Sequence, residues 1–534
     1  MNILAFHMGH DGSVTILEGN EVVAHHQLDR FNKLKHQYVP TLELLDKIKD
    51  LKIKFDKVII SSMGLAETFP IKFYIKKFFN VEESQIEEPL QYEHHIFHAK
   101  CARHFFDYPK NCVYFIADGD GGLITIKDEK NKFINNTEAV ENESVYDEAL
   151  NILQKYYGTN EQLNYQSEKY FVSRDVSLGK AYQKLTYELG LDPLEEGKTM
   201  ALSSYGVFNK KIADRLVFNN RWNLNIFTRL NESYHQANKG NRYLLNPDVN
   251  HTSKDSKSLD FVKTFQIVFQ HLYLQQIKRI NWNYNNLILS GGCAQNVLNN
   301  SFLKKELNKN ILADPFNGDF GISLGAALHY SKEKVKPLKN ICTGFEMPFS
   351  LERFQSKKVN SKEVAEILKS EPIAIFSGKS EQGQRGLGFR SLLANPVQEN
   401  ILKKINRIKK REWYRPFACT ILKEKASKYF EINEEESSPY MMFVYKCKNP
   451  QLKNVCSIDG YSRIQTLERS FHPKYYDLIN EFYKITGLPL VLNTSLNLPG
   501  RVLCEDSNDL FDMMKKSSLK YCYLSDENKI LWIK

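Results

Sequence analysis

Three features are absent from this 534-residue sequence: a long apolar run, a CxxC cysteine pair and a basic leader at the N-terminus. No apolar run approaches the roughly 18 residues of a membrane-spanning helix, so we expect no membrane partner. The first residues lack a basic segment and are interrupted by His7, His10 and Asp11, so we expect no signal peptide. The nine cysteines are scattered and odd in number, which argues against a disulfide framework or a zinc ribbon and favours a reduced, cytoplasmic location.

The composition is that of a globular protein with a small excess of positive charge. Hydrophobic residues make up 42% and charged residues 25%, which excludes a largely disordered or collagenous chain. Lys and Arg number 73 against 63 Asp and Glu, and the net charge of +10 permits a polyanionic partner without requiring one. At roughly 150 residues per domain, the length predicts three or four domains or two large ones.

Short apolar segments alternate with helical patterns along most of the chain. Asn2–His7 and Val14–Leu17 predict a hairpin with a polar tip, and Cys112–Ala117 predicts a buried strand. Asn131–Glu143 is polar, and we predict a loop or an insertion there. Beyond about residue 259, strands alternate with helices such as the one predicted over Pro396–Ile408, which indicates an α/β fold.

A change of composition marks a domain boundary. Ser331–Phe349 carries four lysines, two prolines and no clear periodicity, as linkers between domains often do. We therefore predict a first domain over residues 1–340 and a second over residues 341–534.

The segment His94-His95-Ile96-Phe97-His98 is the first with metal-binding character. On a helix, His94 and His98 stand at i and i+4 on one face, about 6 Å apart, which suits two ligands of one metal. A zinc-protease motif needs Glu at position 95, where this chain has His. The spacing leaves open the alternative of a histidine-bearing helix without a metal.

Glycine turns follow several predicted strands. Asp118-Gly119-Asp120-Gly121-Gly122 places carboxylates at a strand's carboxyl end, where α/β proteins form sites, although Gly122 and Leu123 exclude a calcium-binding EF-hand. Ser290–Asn296 and Gly318–Gly321 each lie between a strand and a helix, where backbone N–H groups can bind phosphate. The alternative interpretation of all three segments is a plain turn that binds no ligand. Gly197-Lys198-Thr199 is not a Walker A loop, because position 192 is Asp where the first glycine is required.

A basic region lies in the second predicted domain. Arg385 and Arg390 flank a glycine-rich stretch, and Asn406–Arg415 carries five Lys or Arg residues. Fixed guanidinium groups can clamp a polyphosphate, whereas a solvated helix face or a nucleic-acid patch would show the same charges.

Eleven segments, taken in order, resemble the NodU/CmcH-type O-carbamoyltransferase family. They are HDGSVTILEGNEVVA, DRFNKLKH, HHIFHA, ADGDGG, EEGKTMALSSYG, SGGCAQNVLNN, NGDFGISLGAAL, QRGLGFRSLLANP, INRIKKREWYRPFA, DGYSRIQTL and GLPLVLNTSLN. No single segment makes the resemblance specific. The eleven segments together do so, because they occur in the same order and span nearly the whole chain.

The resemblance implies a fold and a reaction. It implies an N-terminal actin-like ATPase domain, similar to the tRNA threonylcarbamoyl-transfer protein, followed by a YrdC-like α/β domain. The YrdC-like domain would make carbamoyl-adenylate from carbamoyl phosphate and ATP, with magnesium accompanying ATP. The first domain would then transfer the carbamoyl group to an acceptor hydroxyl and release AMP. A homodimer is compatible with this picture.

The resemblance also assigns residues to each role. A divalent metal, with iron(II) the expected ion, would be held by His94, His98, Asp118 and Asp319. His10 and Lys35 match positions near the transferred group, and His10 is the candidate for activating the hydroxyl. The nucleotide would contact Gly291, Gly292, Asn296 and Lys198. Carbamoyl phosphate and the ATP phosphates would contact Arg385, Lys410, Arg411, Arg415, Arg463, Asn493 and Ser495.

Departures from the family pattern bear on the acceptor. The chain has GQRGLG and SIDGYSR where the family has GPRALG and HVDGTAR, and a long polar stretch follows Gly122. We therefore expect an unfamiliar acceptor, and the net charge favours a 5-hydroxymethyl-pyrimidine such as 5-hydroxymethylcytosine in DNA. The alternatives are a sugar or natural-product hydroxyl and, from another class, a catalytically inactive nucleotide-binding protein on the same fold.

Overall fold

The structure is a computed structural model that describes residues 1–36, 38–62, 65–89, 93–127, 133–159, 164–192, 194–223 and 253–534. Its chain forms two compact units. The first comprises Met1–Val23 and Leu44–Leu338, and the second comprises Ala24–Glu43 and Lys339–Lys534. The sequence did not indicate that residues 24–43 group with the C-terminal part of the chain. Among the described residues, no helix combines the length and the apolar character that a membrane crossing requires.

The first unit contains two mixed sheets. One has the strand order β3-β2-β1-β4-β5, with β1 Ile3–Met8, β2 Ser13–Glu18, β3 Glu21–Gln27, β4 Lys57–Ser62 and β5 Ile86–Glu87. The other has the order β10-β11-β9-β8-β6-β14-β15, with β7 paired to β8. Its strands are β6 Cys112–Ala117, β7 Leu123–Lys127, β8 Phe133–Asp147, β9 Ile152–Gly158, β10 Asn164–Gln166, β11 Tyr170–Ser173, β14 Asn286–Ser290 and β15 Asn310–Ala313. A separate hairpin joins β12 Val217–Phe218 and β13 Arg221–Trp222.

Helices pack around these sheets. They are α2 Leu42–Asp50, α3 Leu65–Phe79, α4 His94–Phe105, α5 Leu178–Glu188, α6 Glu196–Leu202, α7 Lys210–Leu216, α8 Ser253–Lys278, α9 Val297–Glu306 and α10 Ile322–Tyr330, whereas the short α1 Asp29–Asn32 lies in the segment that belongs to the second unit. The predicted hairpin at the N-terminus and the strand Cys112–Ala117 are confirmed.

The polar segment predicted as a loop over Asn131–Glu143 is instead part of a strand. From Phe133 onward it belongs to β8, while residues 131 and 132 lie outside the described residues. The pairing of β8 with β9 shifts register between Glu141 and Glu143. Such a bulge breaks the alternation of apolar and polar side chains by which a strand is recognised in a sequence.

The second unit is built on one mixed sheet with the strand order β16-β24-β23-β17-β18-β22-β19-β21-β20. The strands are β16 Phe354–Lys358, β17 Ile373–Phe376, β18 Arg390–Ala394, β19 Ala418–Leu422, β20 Val444–Lys446, β21 Tyr461–Leu467, β22 Leu490–Ser495, β23 Tyr521–Leu524 and β24 Lys529–Ile533. The helices are α11 Ser361–Ser370, α12 Ile401–Lys409, α13 Ala426–Tyr429, α14 Pro473–Thr486 and α15 Ser507–Lys516. Helix α12 begins five residues after the predicted start at Pro396. An α/β fold is thus confirmed for both units.

Helix α4 contributes side chains to two hydrophobic clusters of the first unit. Phe97 packs with Ile3 and Ile59 of the first sheet and with residues of α10. Ala99 and Ala102 pack with Tyr114 and other residues of the second sheet. Because burial of apolar surface on two sides fixes the rotation of the helix about its axis, the histidines of α4 have a defined direction.

Close contact between α4 and α10 depends on Gly325. A Cβ atom at this position would lie 2.0 Å from the carbonyl oxygen of Phe97, which is backbone and cannot rotate away. Gly325→Ala should therefore lower the free energy of unfolding by about 1–3 kcal/mol, as other overpacked substitutions do. Urea unfolding followed by circular dichroism measures the change.

Gly197→Ala is the matched control, because Gly197 also lies in a helix but nothing lies within 4 Å of its Cβ position. Alanine should raise or leave unchanged the stability there, by up to about 1 kcal/mol. Equal effects of the two substitutions would contradict the close contact of α4 and α10.

Candidate functional site

Four side chains from three parts of the first unit converge on one point. His94 and His98 lie one turn apart on α4, and Asp118 directly follows β6. Asp319 begins the 3-10 turn Asp319–Gly321, which leads into α10. One nitrogen or oxygen atom from each residue lies within 4.8 Å of the others, and all four residues are buried.

Each histidine faces both carboxylates. His98 Nε2 lies 3.0 Å from Asp118 Oδ2 and 3.6 Å from Asp319 Oδ1. His94 Nε2 lies 3.5 Å from each of the same two oxygen atoms. His94 Nε2 is therefore buried without a hydrogen-bond partner in the described part of the chain.

The donor set fits a divalent metal ion. Ligand atoms bonded to such an ion at about 2.0–2.2 Å lie about 3.0–3.6 Å from one another, and the four imidazole–carboxylate distances fall in this range. Two imidazoles and two carboxylates suit iron, manganese or zinc without distinguishing among them. A cation would also satisfy the buried His94 Nε2, so the residues fit the metal that the sequence led us to expect.

Strong electrostatic coupling holds the cluster together. Burial alone would lower the pKa of His94, but the charges of Asp319 and Asp118 outweigh it and raise that pKa to about 10. Burial and the charge of Asp319 would raise the pKa of Asp118, but its contacts with the imidazoles of His94 and His98 hold that pKa below its ordinary value. Without a bound metal ion, the protons on the imidazoles therefore supply the positive charge that a bound cation would otherwise supply.

The second carboxylate oxygen of Asp319 faces two further histidines. His10 Nε2 lies 3.4 Å from Asp319 Oδ2, and the charge of Asp319 raises the pKa of His10 to about 9. His7, on β1, is fully buried with its Nε2 3.8 Å from the same oxygen. The sequence analysis assigned no role to His7, although a histidine within an apolar strand was a signal of a buried polar contact.

The predicted nucleotide residues divide into two groups. Gly291, with a φ of +82°, and Gly292 lie against the Asp118 turn, and a Cβ on Gly292 would be 2.7 Å from Asp118 Oδ1. Asn296 instead caps α9 by accepting a hydrogen bond from Asn299 N at 3.0 Å, and its amide also pairs with Gln266. Lys198 lies on α6 and forms an ion pair with Glu195.

Positive side chains cluster in the second unit. Burial and the charge of Arg415 lower the pKa of Arg385 to about 10 and that of Arg411 to about 9. Burial and the charges of Arg385, Arg411 and Arg415 lower the pKa of Arg463 well below its ordinary value. Binding of an anion would relieve this mutual repulsion. We refer to Arg385, Lys409, Arg411, Arg415 and Arg463 together as the cation cluster.

Lys409, the residue before the predicted Lys410, is the buried lysine of this region. The Lys409 ammonium donates to the carbonyl oxygens of Ser495 and Asn497, at 2.6 and 2.7 Å, and its pKa lies well below the ordinary value because of burial and neighbouring cations. Lys410 is exposed and ends α12 in a left-handed conformation. Lys409 and Lys410 differ in burial because consecutive lysines at a helix end point in different directions, and the phosphate contact of Lys410 stays a prediction.

The remaining predicted residues of the second unit lie near this cluster or support it. Ser495 bonds to Lys409 through its backbone, and its hydroxyl donates to Asn497 Oδ1 at 2.8 Å. Asn493 donates to the Gly386 carbonyl at 3.1 Å, while its own Oδ1 is buried without a hydrogen-bond partner among the described residues. Lys35 belongs to the second unit, and its charge is among those that lower the pKa of Lys409.

Relatives were found along the whole chain. An uncharacterized protein of Methanocaldococcus jannaschii is 29% identical over 96% of this chain and 96% of its own length. Nodulation protein NolNO of Sinorhizobium fredii is 34% identical over 44% of this chain and 37% of its own length. Nodulation protein U of the same organism is 34% identical over 40% of each chain.

Solved structures give a weaker likeness. Full-length HypF in its phosphate- and nucleotide-bound form covers 61% of this chain at 13% identity with a TM-score of 0.34, over 46% of its own length. A TM-score of that size does not establish a shared fold.

Two family profiles match in the order that the sequence predicted. The profile for the carbamoyltransferase N-terminus matches residues 66–328, and the profile for the carbamoyltransferase C-terminus matches residues 364–529. The first range includes the four clustered side chains, and the second includes the cation cluster. With both profiles matched in this order, the chain belongs to the carbamoyltransferase family.

Proposed function

We propose that this carbamoyltransferase works in two steps on two sites. In the first step, water cleaves carbamoyl phosphate to carbamate and phosphate, and the carbamate oxygen attacks the α-phosphate of ATP, which gives carbamoyl-adenylate and releases pyrophosphate. In the second step, an acceptor hydroxyl attacks the carbamoyl carbon, the bond to the adenylate phosphate breaks and AMP leaves. The observation that carries the proposal is the cation cluster, because several buried positive groups that repel one another favour the binding of an anion.

The second unit is the proposed site of the first step. Arg385 and Arg463 would bind the phosphates of ATP and carbamoyl phosphate by charge-assisted hydrogen bonds, and Lys409 would be held in place by Ser495 and Asn497. The resemblance supports a YrdC-like fold for this unit and an actin-like ATPase fold for the first unit. Magnesium would accompany ATP.

The first unit is the proposed site of the second step. His94, His98, Asp118 and Asp319 would hold the divalent metal, iron(II) by resemblance, which as a Lewis acid would ease the departure of AMP. Gly291 and Gly292 would allow the nucleotide backbone to approach the Asp118 turn. His10, whose Nε2 faces Asp319 Oδ2, would take the proton of the acceptor hydroxyl. A cation beside Asp319 would offset the charge that keeps His10 protonated without it.

For the acceptor we propose a hydroxymethylated pyrimidine in DNA, with a sugar or natural-product hydroxyl as the alternative. The support is the net charge of +10 and the departure from the family pattern after Gly122. An inactive nucleotide-binding protein is the alternative from another class, and the convergence of four metal-type ligands speaks against it. Pyrophosphate release from ATP and carbamoyl phosphate decides between activity and inactivity.

Removal of one ligand should weaken metal binding. For His98→Ala we expect metal content to fall by at least the roughly 10–100-fold that loss of a supporting contact alone produces. Inductively coupled plasma mass spectrometry on the dialysed protein measures the content. His104→Gln, on the same buried helix but outside the cluster, should retain the metal. Full metal content in folded His98→Ala would refute the ligand assignment.

The two steps should separate by unit. Arg385→Ala and Arg415→Ala should abolish pyrophosphate release, because alanine cannot replace a charged contact to phosphate. His98→Ala should still release pyrophosphate yet fail to carbamoylate an acceptor. Arg469→Ala, which removes an exposed arginine paired with Asp477, is the control and should behave as wild type. Loss of pyrophosphate release in folded His98→Ala would contradict the two-site scheme.

Transfer to DNA should depend on salt. Phosphate contacts release counterions, so carbamoylation of DNA containing 5-hydroxymethylcytosine should fall steeply between low and moderate salt, whereas pyrophosphate release should fall much less. The base must be flipped out or single-stranded to react. Nucleoside digestion and mass spectrometry detect the product. Enzyme that releases pyrophosphate but leaves the DNA unmodified at low salt would favour the sugar or natural-product acceptor.

A further inference from the structure

The loop that carries Arg385 joins two strands of the second unit. It runs from Ser377 to Phe389 between β17 and β18, which pair with each other antiparallel. We refer to residues 377–389 as the arginine loop. Within it, Gln384 is exposed and Arg385 is half-buried. Because Arg385 would contact phosphate in the first proposed step, the contacts that hold this loop in place bear on that step.

Electrostatic repulsion acts on Arg385 within the cation cluster. Burial and the charge of Arg415 lower the pKa of Arg385. Burial and the neighbouring charges, with that of Arg385 foremost, lower the pKa of Arg463. Like charges at short range repel one another. The position of the Arg385 guanidinium therefore has to be imposed by the backbone that carries it.

The sheet of the second unit holds the loop on the C-terminal side of Arg385. Asn493 on β22 donates a hydrogen bond to the Gly386 carbonyl at 3.1 Å. Gln465 on β21 donates to the Leu387 carbonyl at 2.9 Å. Because the donors lie on strands of the sheet, the two residues that follow Arg385 are fixed to a rigid support.

A segment from the beginning of the chain holds the loop on the other side of Arg385. Gln27 ends β3 and Arg30 lies in α1, and both belong to the second unit. The Gly383 N–H donates to Gln27 Oε1 at 2.7 Å, and Arg30 Nη2 donates to the Gly383 carbonyl at 2.8 Å. Arg30 Nη2 also donates to Gln27 Oε1 at 3.1 Å. Both backbone polar groups of Gly383 are thus bonded to side chains 353 and 356 residues away in the sequence.

Contacts with residues 341–345 keep that early segment in place. His25 N donates to the Thr343 carbonyl at 2.9 Å, and Phe345 N donates to His26 Nδ1 at 3.1 Å. The centre of the His26 ring lies 4.8 Å from that of Phe31 and 5.5 Å from that of Phe345. The residues between His26 and Phe31 therefore have a defined position.

The charge of Arg30 is already balanced, which distinguishes it from the cation cluster. Its Nε lies 3.5 Å from Asp29 Oδ1, and its Nη1 lies 3.7 Å from Glu505 Oε2. All three side chains are buried. A guanidinium paired with two carboxylates attracts an added anion weakly, but its rigid fork of N–H groups can still hold a fixed acceptor such as the Gly383 carbonyl.

We propose that Gln27 and Arg30 are positioning residues of the first step, which hold Gly383 so that Arg385 meets the phosphates. The proposal rests on the proposed function, because it takes Arg385 as a phosphate ligand. It also gives residues 24–43 a reason to group with the C-terminal part of the chain. If the two side chains served only to attach this segment, their loss would lower stability without changing the affinity for an anion.

The test measures the binding of inorganic pyrophosphate to the full chain by isothermal titration calorimetry. Pyrophosphate is a product of the first step, and its binding needs no turnover. We expect Gln27→Leu to weaken the binding about tenfold, which corresponds to about 1.4 kcal/mol, because leucine accepts no hydrogen bond from Gly383 N. Arg30→Lys should weaken it in the same direction. Lysine keeps the charge but lacks the fork, so the loss would come from geometry and not from net charge.

Removal of Arg385 identifies the route of the effect. Arg385→Ala leaves four members of the cation cluster, so weakened binding of pyrophosphate should remain measurable. Gln27→Leu should then have a further effect of less than about twofold, because the side chain that Gln27 positions is gone. A purely structural glutamine would weaken binding by the same factor in both backgrounds. Equal factors, or wild-type affinity in folded Gln27→Leu and folded Arg30→Lys, would overturn the proposal.

Asn395→Leu is the matched control. Asn395 is a buried amide of the same unit that directly follows β18, at the end opposite the arginine loop. It donates to the Lys369 carbonyl at 3.0 Å and accepts from Val397 N at 3.2 Å. Its loss should lower the unfolding midpoint, as Gln27→Leu does, yet leave the affinity for pyrophosphate unchanged. A matching loss of affinity in Asn395→Leu would identify general destabilisation as the cause and would overturn the proposal.

Pyrophosphate release from ATP and carbamoyl phosphate separates this proposal from the proposed function. If the wild-type chain releases pyrophosphate but Gln27→Leu binds it as tightly as wild type, the proposed function stands and the positioning role fails. If the wild-type chain binds pyrophosphate with the expected dependence on Gln27 but releases none from the two substrates, the positioning role stands and the proposed first step fails. A wild-type chain that binds no pyrophosphate would overturn the positioning role.

Discussion

Helix α4 is the element on which the candidate metal centre depends. Its apolar side chains pack in two directions, Phe97 into the cluster with Ile3 and Ile322 and Ala99 into the cluster with Tyr114. A helix held on two sides cannot rotate, so a third side presents His94 and His98 to the carboxylates. The close approach of α10 at Gly325 brings the turn of Asp319 to the same point. Hydrophobic packing thus fixes the polar geometry.

The two units present opposite electrostatic problems. In the first unit, buried carboxylates and imidazoles share charge, and a cation would satisfy the His94 nitrogen that lacks a partner. In the second unit, buried guanidinium groups and Lys409 repel one another, and an anion would relieve the repulsion. Neither arrangement is a stable way to bury charge without a ligand, which is why both are candidate sites.

Several site residues could be predicted from local pattern and resemblance. His94 and His98 follow from helical spacing, and Asp118 follows from its place at the end of a strand. Asp319, some 200 residues further on, could be included only by resemblance, since no local pattern joins it to α4. His7 was missed because a single histidine within an apolar strand indicates a buried polar contact but does not identify its partner. Lys410 was chosen over Lys409 because the sequence does not show which of two adjacent lysines is buried.

The sequence by itself determined the family, the α/β class and most of the metal-type ligands, because motif order and hydrophobic periodicity are properties of the chain. Tertiary structure decided the convergence of four ligands within 4.8 Å and the burial of Lys409. It also turned the polar residues from Phe133 onward into a strand, through pairing with β6, β7 and β9. The physical reason is the same in each case: burial, register and charge coupling arise between residues far apart in the chain, and local pattern carries no record of them.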